Sequence, residues 1–303
     1  MYNFAPRSFY RLVRHVYNKG TEINGTKELI NFSFKIKNPI DRLVSVERKI
    51  NFPFAVAEWL AMVTCDGRLS FFKTFINDYD KYSTDKKFID GAYGLRISDW
   101  GKSNQIEAAI SELAAFNNSR RAVISIFNGS IDLVSKDLWI PCTETFQFLI
   151  RDNKLHMIVN MRSNDVYLGV PYDIFSFTMI QEYIAMRLGV PLGTYFHNAG
   201  SFHIYERQYQ KAFTEQKYIY GRTMDPMKFE LPEVFHLKLI YDNIEEADLV
   251  TATRGLSPYL ADFAWAARAF VRRSFYEEAI DAYEKIRNSA IKRVMSPWIK
   301  KEK

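Results

Sequence analysis

Hydrophobic and polar positions alternate in four stretches of the chain, and this period-two pattern predicts β-strands there. The stretches are "LINFSFKI" at 29–36, "RAVISIF" at 121–127, "TFQFLIRD" at 145–152 and "KLHMIVNMRS" at 154–163. The last two meet at Asp152 and Asn153, residue types that favour tight turns. We therefore predict that these two strands form a β-hairpin.

Helical spacing of apolar residues appears in three other stretches. They are "FAVAEWLAMV" at 54–63, "KSNQIEAAISELAAF" at 102–116 and "DIFSFTMIQEYIAMRLG" at 173–189. Gly189 and Pro191 favour an end to the last of these helices. Strands and helices mixed in this way predict an α+β fold.

After about residue 210 the pattern becomes almost wholly helical, notably in "LSPYLADFAWAARAFVRRSFYEEAIDAYEKIRNSAIKRV". Ser257 and Pro258 predict the start of one helix, as N-cap and first helical residue. We expect residues 1–210 to form one domain and residues 211–303 to form a mostly helical C-terminal extension. The sequence does not indicate a role for the extension.

Composition and charge exclude several classes of protein. The 303 residues are 48% hydrophobic, which is enough for a substantial core. The N-terminal stretch does not have the pattern of a secretory signal, and the longest apolar run, "FPFAVAEWLAMV", is too short to span a bilayer. The two cysteines and five histidines have no metal-site spacing. We expect a cytoplasmic protein with no metal and no membrane association.

The formal net charge of +6 favours an anionic partner. Lys and Arg residues are scattered along the chain, without the basic stripe and interleaved aromatic residues of a nucleic-acid groove. Nucleic acid is therefore an unlikely partner, but the charge alone does not choose between a membrane surface and a phosphorylated small molecule.

Several residues could carry chemistry. Cys142 follows a proline at the start of a predicted strand, where a thiol could be held rigidly, although a lone cysteine there is more often a core residue. Arg162 with Ser163 offers charged and hydroxyl donors that suit a phosphate. His203 and Tyr205 would share one face of a strand and could bind a sugar hydroxyl. Surface ion pairs and a buried histidine are the plain structural alternatives.

In combination, these motifs resemble the thymidylate synthase family. The matching order is Glu58, "GAYG", "SRR", "PC", "RSNDVYLGVPYD" and "HIY", and it runs from about residue 20 to residue 210. The segments "NMRSND" and "CTETFQFLIRD" are most similar to the deoxycytidylate hydroxymethylase branch. The resemblance implies an α+β, thymidylate-synthase-like fold whose mixed β-sheet forms a dimer interface. It also implies a catalytic domain over residues 1–210 and 5,10-methylenetetrahydrofolate as co-substrate.

The resemblance also implies catalytic roles. Cys142 matches the nucleophile that adds to C6 of a pyrimidine nucleoside monophosphate and makes C5 nucleophilic. Glu58 matches the acid that organises water and proton transfer. Tyr93 matches a residue near the departing one-carbon group.

Binding roles follow in the same way. Arg162 and Ser163 match the phosphate site, and Arg120 and Arg121 match a pair of arginines that reach in from the other subunit of a homodimer.

Other matched positions contact the sugar and the folate. His203 and Tyr205 match the contact to the 3′-hydroxyl of the sugar. Asp165 matches a contact to the folate pterin, and Gly169 lies in the same cofactor-binding segment.

The chain departs from the family pattern in several places. Thr143 stands where the family usually has His after the nucleophile, and Met161 stands where it has Gln. The segment between Phe71 and Tyr93 has no Trp, which weighs against reductive methylation. The family's N-terminal phosphate-binding arginine has no clear match in "YNKGTEINGTKEL", and some ninety residues follow "HIY".

Asp173 lies where thymidylate synthases carry Asn. An Asn amide pairs with N3–H and O4 of uracil, whereas a carboxyl group can accept from the 4-amino group of cytosine and donate to N3. We therefore expect Asp173 to read cytosine. An alternative is that Asp173 is the N-cap of the helix that follows.

The resulting prediction is a dCMP 5-hydroxymethyltransferase, since Ser163 and Arg120 match members that use deoxynucleotides. The alternatives are a C5-methyltransferase of dCMP or dUMP, a CMP hydroxymethylase, and a non-enzymatic regulator that binds nucleotide or RNA.

Overall fold

The computed structural model describes residues 1–44, 48–99, 101–136, 139–214 and 223–299. The strands within these residues are β1 (Tyr2–Asn3), β2 (Thr21–Ile23), β3 (Thr26–Ile36), β4 (Val123–Ser125), β5 (Thr143–Arg151), β6 (Lys154–Asp165) and β7 (Leu192–Tyr205). The helices up to β7 are α1 (Phe9–Lys19), α2 (Phe52–Val63), α3 (Leu69–Lys73), α4 (Tyr93–Ile97), α5 (Gln105–Ala115), α6 (Gly129–Asp132) and α7 (Val170–Leu188). Those after β7 are α8 (Tyr209–Thr214), α9 (Leu231–Asp242), α10 (Leu249–Ala252), α11 (Pro258–Val271), α12 (Tyr276–Glu284) and α13 (Ser289–Met295).

The strands form one mixed sheet in the order β1, β3, β7, β6, β5, β4, with β2 paired to β3. β5 and β6 form the predicted antiparallel hairpin. Asp152 and Asn153 at its turn have φ values of 50° and 57°, which a two-residue hairpin turn requires and which Asp and Asn tolerate. β6 and β7 run parallel, with α7 as the crossover between them. The predicted α+β class is confirmed.

The predicted strands match the structure unevenly. β3, β5 and β6 lie where the pattern places them, but "RAVISIF" contributes only Val123–Ser125. The backbone amides of Ile126 and Phe127 both donate to the carbonyl of Glu144, which ends the regular ladder. The pattern does not predict β7 in full, because its buried positions include small and polar residues such as Gly193 and His197.

Helix α2 carries one acidic residue in an otherwise buried segment. Its N-terminus is capped by Asn51, whose side-chain oxygen accepts from the Phe54 amide at 3.1 Å. Every residue of α2 except Glu58 is fully buried. A helix that is apolar on all sides must be covered on all sides, so α2 lies in the middle of the core with Glu58 at its one partly open position.

Helix α7 begins three residues earlier than the pattern predicts. It starts at Val170 because Pro171, which lacks an N–H group, suits the first turn. It ends at Gly189, whose φ of 66° closes the helix as predicted. Asp173 therefore lies inside the first turn and does not cap the helix, so the N-cap alternative is wrong.

Helices α9, α11 and α13 pack against α2, and α11 also contacts α7, in one hydrophobic core. The Tyr259 hydroxyl lies 3.4 Å from the sulfur of Met179, and the Trp298 indole N–H donates to the carbonyl of Ile50 at 3.0 Å. α11 starts at Pro258, as predicted. Residues 215–222 and 300–303 of the expected extension lie outside the described residues. The boundary at residue 210 stays a prediction.

None of the helices in the described ranges combines the length and the apolar character that a bilayer crossing requires.

Candidate active site

A cavity of about 220 Å³ lies between α2, α4, α7 and the segment before β5. It brings together four residues that were predicted to be catalytic: Glu58, Tyr93, Cys142 and Asp173. Much of the remaining wall is aromatic, formed by Phe72, Tyr79, Tyr82, Trp139 and Phe177. The cavity thus combines a thiol, a phenol and two carboxyl groups with flat apolar surfaces.

Cys142 is half-buried, and Arg162 lies against it. The Arg162 amide donates to the Cys142 carbonyl at 2.9 Å, and its guanidinium donates to the carbonyls of Pro141 and Ile140 at 2.9 and 3.0 Å. Nη2 of Arg162 is 3.8 Å from the Cys142 sulfur. Burial raises the pKa of the Cys142 thiol, while the charge of Arg162 acts to lower it. Arg162 therefore favours the thiolate.

Tyr93 is joined to the residue after the cysteine. Its hydroxyl donates to Oγ1 of Thr143 at 3.0 Å and accepts from the Thr143 amide at 3.3 Å. Burial raises the pKa of Tyr93, and the nearby Cys142 adds to the rise. Tyr93 is therefore a neutral phenol. Thr143, which departs from the family pattern, has a structural task in orienting it.

Glu58 and Asp173 are the two carboxyl groups in the cavity wall. Burial raises the pKa of Glu58 well above its usual range, and the charge of Asp173 adds to this. Burial also raises the pKa of Asp173 to about 7, against the opposing effect of a hydrogen bond from Asn164. With a pKa of about 7, Asp173 can hold or release a proton near neutral pH.

Asn164 is a neighbour of Asp173 that the sequence analysis does not single out. Its side-chain nitrogen donates to Oδ2 of Asp173 at 2.6 Å. Oδ1 of Asp173 has no hydrogen-bond partner among the described residues. Asn164 is buried at the end of β6, and an amide at a buried strand position is the signal that could have identified it.

Asp165 and Gly169, predicted to bind the cofactor, lie at the two ends of the turn between β6 and α7. Oδ1 of Asp165 accepts from the amides of Tyr167 and Leu168 at 2.7 and 2.9 Å. Oδ2 of Asp165 is buried and has no hydrogen-bond partner within the described part of the chain. Burial raises the pKa of Asp165. Because its buried Oδ2 lacks a partner among the described residues, this oxygen is a candidate to accept a hydrogen bond from a ligand N–H group.

Ser163, His203 and Tyr205 lie on β6 and β7, where Ser163 pairs with Ser201 and Asp165 with His203. The rings of His203 and Tyr205 are adjacent, with centroids 5.1 Å apart and planes at 89°. His203 is therefore beside both Asp165 and Tyr205, as a shared binding surface requires.

Arg120 and Arg121 do not reach the cavity within one chain. Arg121 is exposed and forms an ion pair with Glu112 at 2.9 Å. Arg120 is exposed, and its side chain has no partner among the described residues. Its carbonyl accepts from the Gln147 side chain at 3.0 Å, which places it beside the sheet.

Comparison with known proteins decides the family. The family model described as "Thymidylate synthase" matches residues 7–238. The chain belongs to the thymidylate synthase family. The resemblance inferred from the sequence motifs is thereby confirmed.

Two relatives within this family are informative. The chain is 29% identical over 223 residues to the "Deoxyuridylate hydroxymethyltransferase" of Bacillus phage SP01, a match that covers 69% of this chain and 58% of that protein. It is 36% identical over 186 residues to a protein named "Putative thymidylate synthase" from Methanocaldococcus jannaschii, covering 59% of this chain and 76% of the relative.

The thymidylate synthase fold is supported by a solved structure. Thermostable thymidylate synthase A from Bacillus subtilis superposes with a TM-score of 0.61 at 21% identity, covering 73% of this chain and 86% of the other. The predicted thymidylate-synthase-like fold is therefore confirmed.

Trp139 is a cavity residue that the sequence analysis does not predict. Its ring packs edge-on against Tyr82, with centroids 4.4 Å apart, and its indole N–H donates to the carbonyl of Lys81. The sequence has no Trp between Phe71 and Tyr93, but the fold supplies one to the same wall from the segment before Cys142. Only the tertiary structure brings these segments together.

Within the described ranges, His, Cys, Asp and Glu residues form no group that could hold a metal ion.

Proposed function

We propose that this protein is a deoxycytidylate 5-hydroxymethyltransferase that uses 5,10-methylenetetrahydrofolate and water. The observation that carries the proposal is the Asp173 carboxyl group in the wall of the same cavity as the Cys142 thiol. A family member needs its nucleophile near C6 of the pyrimidine and a group that reads the opposite edge of the base. Cys142 and Asp173 are suited to these two tasks.

Asp173 suits cytosine because of its protonation. With the pKa raised to about 7 by burial, the carboxyl group is partly protonated at neutral pH. A carboxylic acid donates to N3 of cytosine through one oxygen and accepts from the 4-amino group through the other. Uracil offers N3–H and an O4 acceptor, so it requires the opposite arrangement. Cytosine is therefore the better match.

The reaction begins at Cys142. The thiolate adds to C6 of dCMP, and the resulting nucleophilic C5 forms a bond to the one-carbon unit that methylenetetrahydrofolate supplies. Loss of the C5 proton and of tetrahydrofolate leaves an exocyclic methylene group. Water adds to this group and the thiolate leaves C6, which gives 5-hydroxymethyl-dCMP.

Glu58 is the group that we assign to water and proton transfer. Its carboxyl group lies in the cavity wall and, because burial raises its pKa well above the usual range, it holds a proton more readily than an exposed Glu does. Tyr93, held by Thr143, lies in the same wall and can donate a hydrogen bond near the one-carbon unit.

Arg162 and Ser163 are assigned to the phosphate group of the nucleotide, and His203 with Tyr205 to the 3′-hydroxyl. Arg162 is exposed, and its Nη1 atom has no hydrogen-bond partner among the described residues. A guanidinium with a free donor next to the nucleophile suits a phosphate whose base lies in the cavity.

The residues at the β6–α7 turn fit a folate. The unpaired Oδ2 of Asp165 is a buried acceptor that needs an N–H donor, and a pterin ring offers such donors. Aromatic side chains such as Tyr82 and Trp139 offer flat surfaces for stacking. Both observations support methylenetetrahydrofolate as co-substrate.

A homodimer completes the proposed site. Ser33, Asn198, Asn160 and Thr145 form a ladder of hydrogen bonds of 2.8, 3.0 and 3.1 Å across β3, β7, β6 and β5. The chain neighbours of these residues that are buried point to the opposite face of the sheet, so the ladder lies on the other face. They are Phe34, Phe146, Val159, Met161, His197 and Ala199. We assign this face to the dimer contact.

The arginines fit such a contact. Gln147 lies two residues after Thr145 on the same face of the sheet. Its side-chain nitrogen donates a hydrogen bond to the Arg120 carbonyl. Pairing two copies through this face would let Arg120 and Arg121 of one subunit approach the phosphate site of the other.

A second candidate is 5-hydroxymethylation of dUMP. It is favoured by the name of the phage SP01 relative, which is a deoxyuridylate hydroxymethyltransferase at 29% identity.

One experiment separates these functions. The purified protein is incubated with methylenetetrahydrofolate and dCMP, CMP or dUMP, and each nucleotide is analysed by mass spectrometry. We expect dCMP to gain CH₂O. A gain of CH₂ would mean methylation, a preference for dUMP would support the second candidate, and nucleotide binding without any mass change would indicate a regulator.

A further inference from the structure

A chain of three hydrogen bonds leads from the interior to Asp173. The Tyr195 hydroxyl is 2.8 Å from Nδ1 of His197, Nε2 of His197 is 3.0 Å from Oδ1 of Asn164, and Nδ2 of Asn164 is 2.6 Å from Oδ2 of Asp173. Tyr195 and His197 are completely buried, and Asn164 is 3% exposed. None of these three residues lines the cavity in the described part of the chain.

The donors in this chain all point toward Asp173. A carboxylate cannot donate, so the Asn164 amide presents its NH₂ group to ionised Asp173 and its oxygen to His197. The oxygen then accepts from Nε2–H of His197, which leaves Nδ1 to accept from the Tyr195 hydroxyl. Burial lowers the pKa of His197 to about 3, so the ring is neutral and has one N–H group, as this arrangement requires.

The packing fixes the chain in place. The His197 ring is stacked on Phe34, with centroids 4.5 Å apart and planes at 12°. At Gly169, a Cβ atom would lie 3.0 Å from Nδ2 of Asn164 and 3.1 Å from Oδ2 of Asp173. Only glycine leaves room for this bridge without displacing it.

We propose that Asn164, supported by His197 and Tyr195, is a positioning residue that keeps Oδ2 of Asp173 a hydrogen-bond acceptor and confines the proton of that carboxyl group to Oδ1. The inference rests on the proposed function and deepens it. Asp173 then presents one donor and one acceptor in a fixed order, which is the pattern that the N3 and 4-amino edge of cytosine requires. Without Asn164 the proton could occupy either oxygen and the carboxyl group could rotate.

The test compares kcat/KM for dCMP and dUMP in Asn164→Ala and Tyr195→Phe. Losing one charge-assisted hydrogen bond should lower the dCMP-to-dUMP preference about tenfold in Asn164→Ala. Tyr195→Phe, which removes one hydroxyl at the far end of the chain, should shift it less and in the same direction. Tyr241→Phe is the matched control, because that buried hydroxyl donates to the Phe263 carbonyl elsewhere in the core. It should leave the preference unchanged.

A pH profile separates positioning from simple structural support. The Asn164 hydrogen bond lowers the pKa of Asp173, so the kcat/KM profile for dCMP should move to higher pH in Asn164→Ala. Several titratable or charged groups around Asp173 also bear on this profile. They are Glu58 on α2, Tyr93 on α4, Cys142 just before β5, Arg162 and Asp165 on β6, and Tyr195 on β7. A variant that only loses stability would lower kcat/KM equally for both nucleotides without moving the profile, which would overturn the proposal.

A measurement without substrate tests the chain itself. ¹⁵N NMR of the His197 ring should show a neutral imidazole protonated at Nε2. The opposite tautomer, or a charged ring, would overturn the inference whichever nucleotide the enzyme uses. Failure of the proposed function is a different result, namely no turnover of dCMP by the unaltered protein. If Asn164→Ala does not fold, the substrate preference of Tyr195→Phe and the NMR measurement of His197 still test the proposed role of the hydrogen-bonded chain.

Discussion

Nη2 of Arg162 lies 3.8 Å from the sulfur of Cys142 while it donates to the carbonyl of Ile140. The same side chain therefore holds the backbone before the nucleophile and places a positive charge beside the thiol. This relationship makes Cys142 the more suitable nucleophile of the two cysteines, because a nearby cation favours the thiolate.

Replacing the nucleophile should abolish turnover. Cys142→Ser should bind dCMP nearly as well as the unaltered protein, because the base and phosphate contacts are kept, but it should not release tritium from C5 of labelled dCMP. Cys65→Ser is the control, since Cys65 is the other free cysteine and does not line the cavity in the described residues. Substantial turnover by Cys142→Ser would rule out the covalent mechanism.

Asp173→Asn should move the substrate preference from dCMP toward dUMP. The amide restores the donor to O4 of uracil and places a donor against the amino group of cytosine. Loss of one buried pairing costs about 1–3 kcal/mol, so the ratio of kcat/KM values should change by about ten- to a hundredfold. Steady-state kinetics with dCMP and dUMP measure this ratio. An unaltered ratio in a well-folded variant would refute cytosine reading by Asp173.

The pH dependence of stability should also depend on Asp173. Its pKa is about 3.8 in an unfolded chain and is raised to about 7 by burial, so the folded state binds the extra proton in this interval. The free energy of unfolding should therefore fall as pH rises from about 4 to about 7, by up to about 1.4 kcal/mol per pH unit from this group. Urea titrations at several pH values measure the free energy of unfolding, and this free energy should depend less on pH in Asp173→Asn than in the unaltered protein. Parallel curves for the two proteins would contradict the burial of this charge.

Activity should be recovered by mixing two inactive variants. Arg120→Ala removes the arginine whose side chain has no partner in the described chain, whereas Arg121 is held by Glu112. Exchange of subunits between Arg120→Ala and Cys142→Ser homodimers should create one site with both native residues. Arg254→Ala, an exposed arginine after α10, should be fully active by itself. A monomer in ultracentrifugation, or no recovery after demonstrated exchange, would exclude shared arginines.

The folate product should be tetrahydrofolate. Hydroxymethylation consumes water and leaves the pterin unoxidised, whereas methylation takes a hydride from it and gives dihydrofolate. Dihydrofolate absorbance should therefore not rise during turnover of dCMP. Dihydrofolate in stoichiometric amounts would show that the enzyme is a methyltransferase.

The sequence predicts the parts of this molecule that depend on local pattern. The β5–β6 hairpin follows from Asp152 and Asn153 between two alternating stretches, and the end of α7 follows from Gly189. The start of α7 is misplaced because the pattern begins at an attractive cap residue, Asp173, while Pro171 fixes the first turn earlier. Strand β7 is predicted only near His203 and Tyr205, because the buried face of its first half carries Gly193 and His197 in place of aliphatic residues.

Some residues of the candidate site are predicted by local motifs, and others are identified only by the tertiary structure. Motif order identifies Cys142, Glu58, Tyr93 and Asp173, and the fold brings these residues to one cavity. Asn164 and Trp139 are missed because their importance lies in contacts with residues distant in sequence or across a turn. Such contacts are set by tertiary packing, which periodicity and spacing do not encode.

The position of α2 has a consequence for how the protein is made. This helix carries Glu58 and is apolar on nearly every side. Helices α11 and α13 cover part of it. The Trp298 indole N–H donates a hydrogen bond to the carbonyl of Ile50, which lies just before the helix. During synthesis on the ribosome, residues 52–63 emerge long before the segment 258–298 that shields them. The nascent chain therefore carries an incompletely covered apolar helix until residues 258–298 have also emerged, and apolar surface exposed in this way favours aggregation.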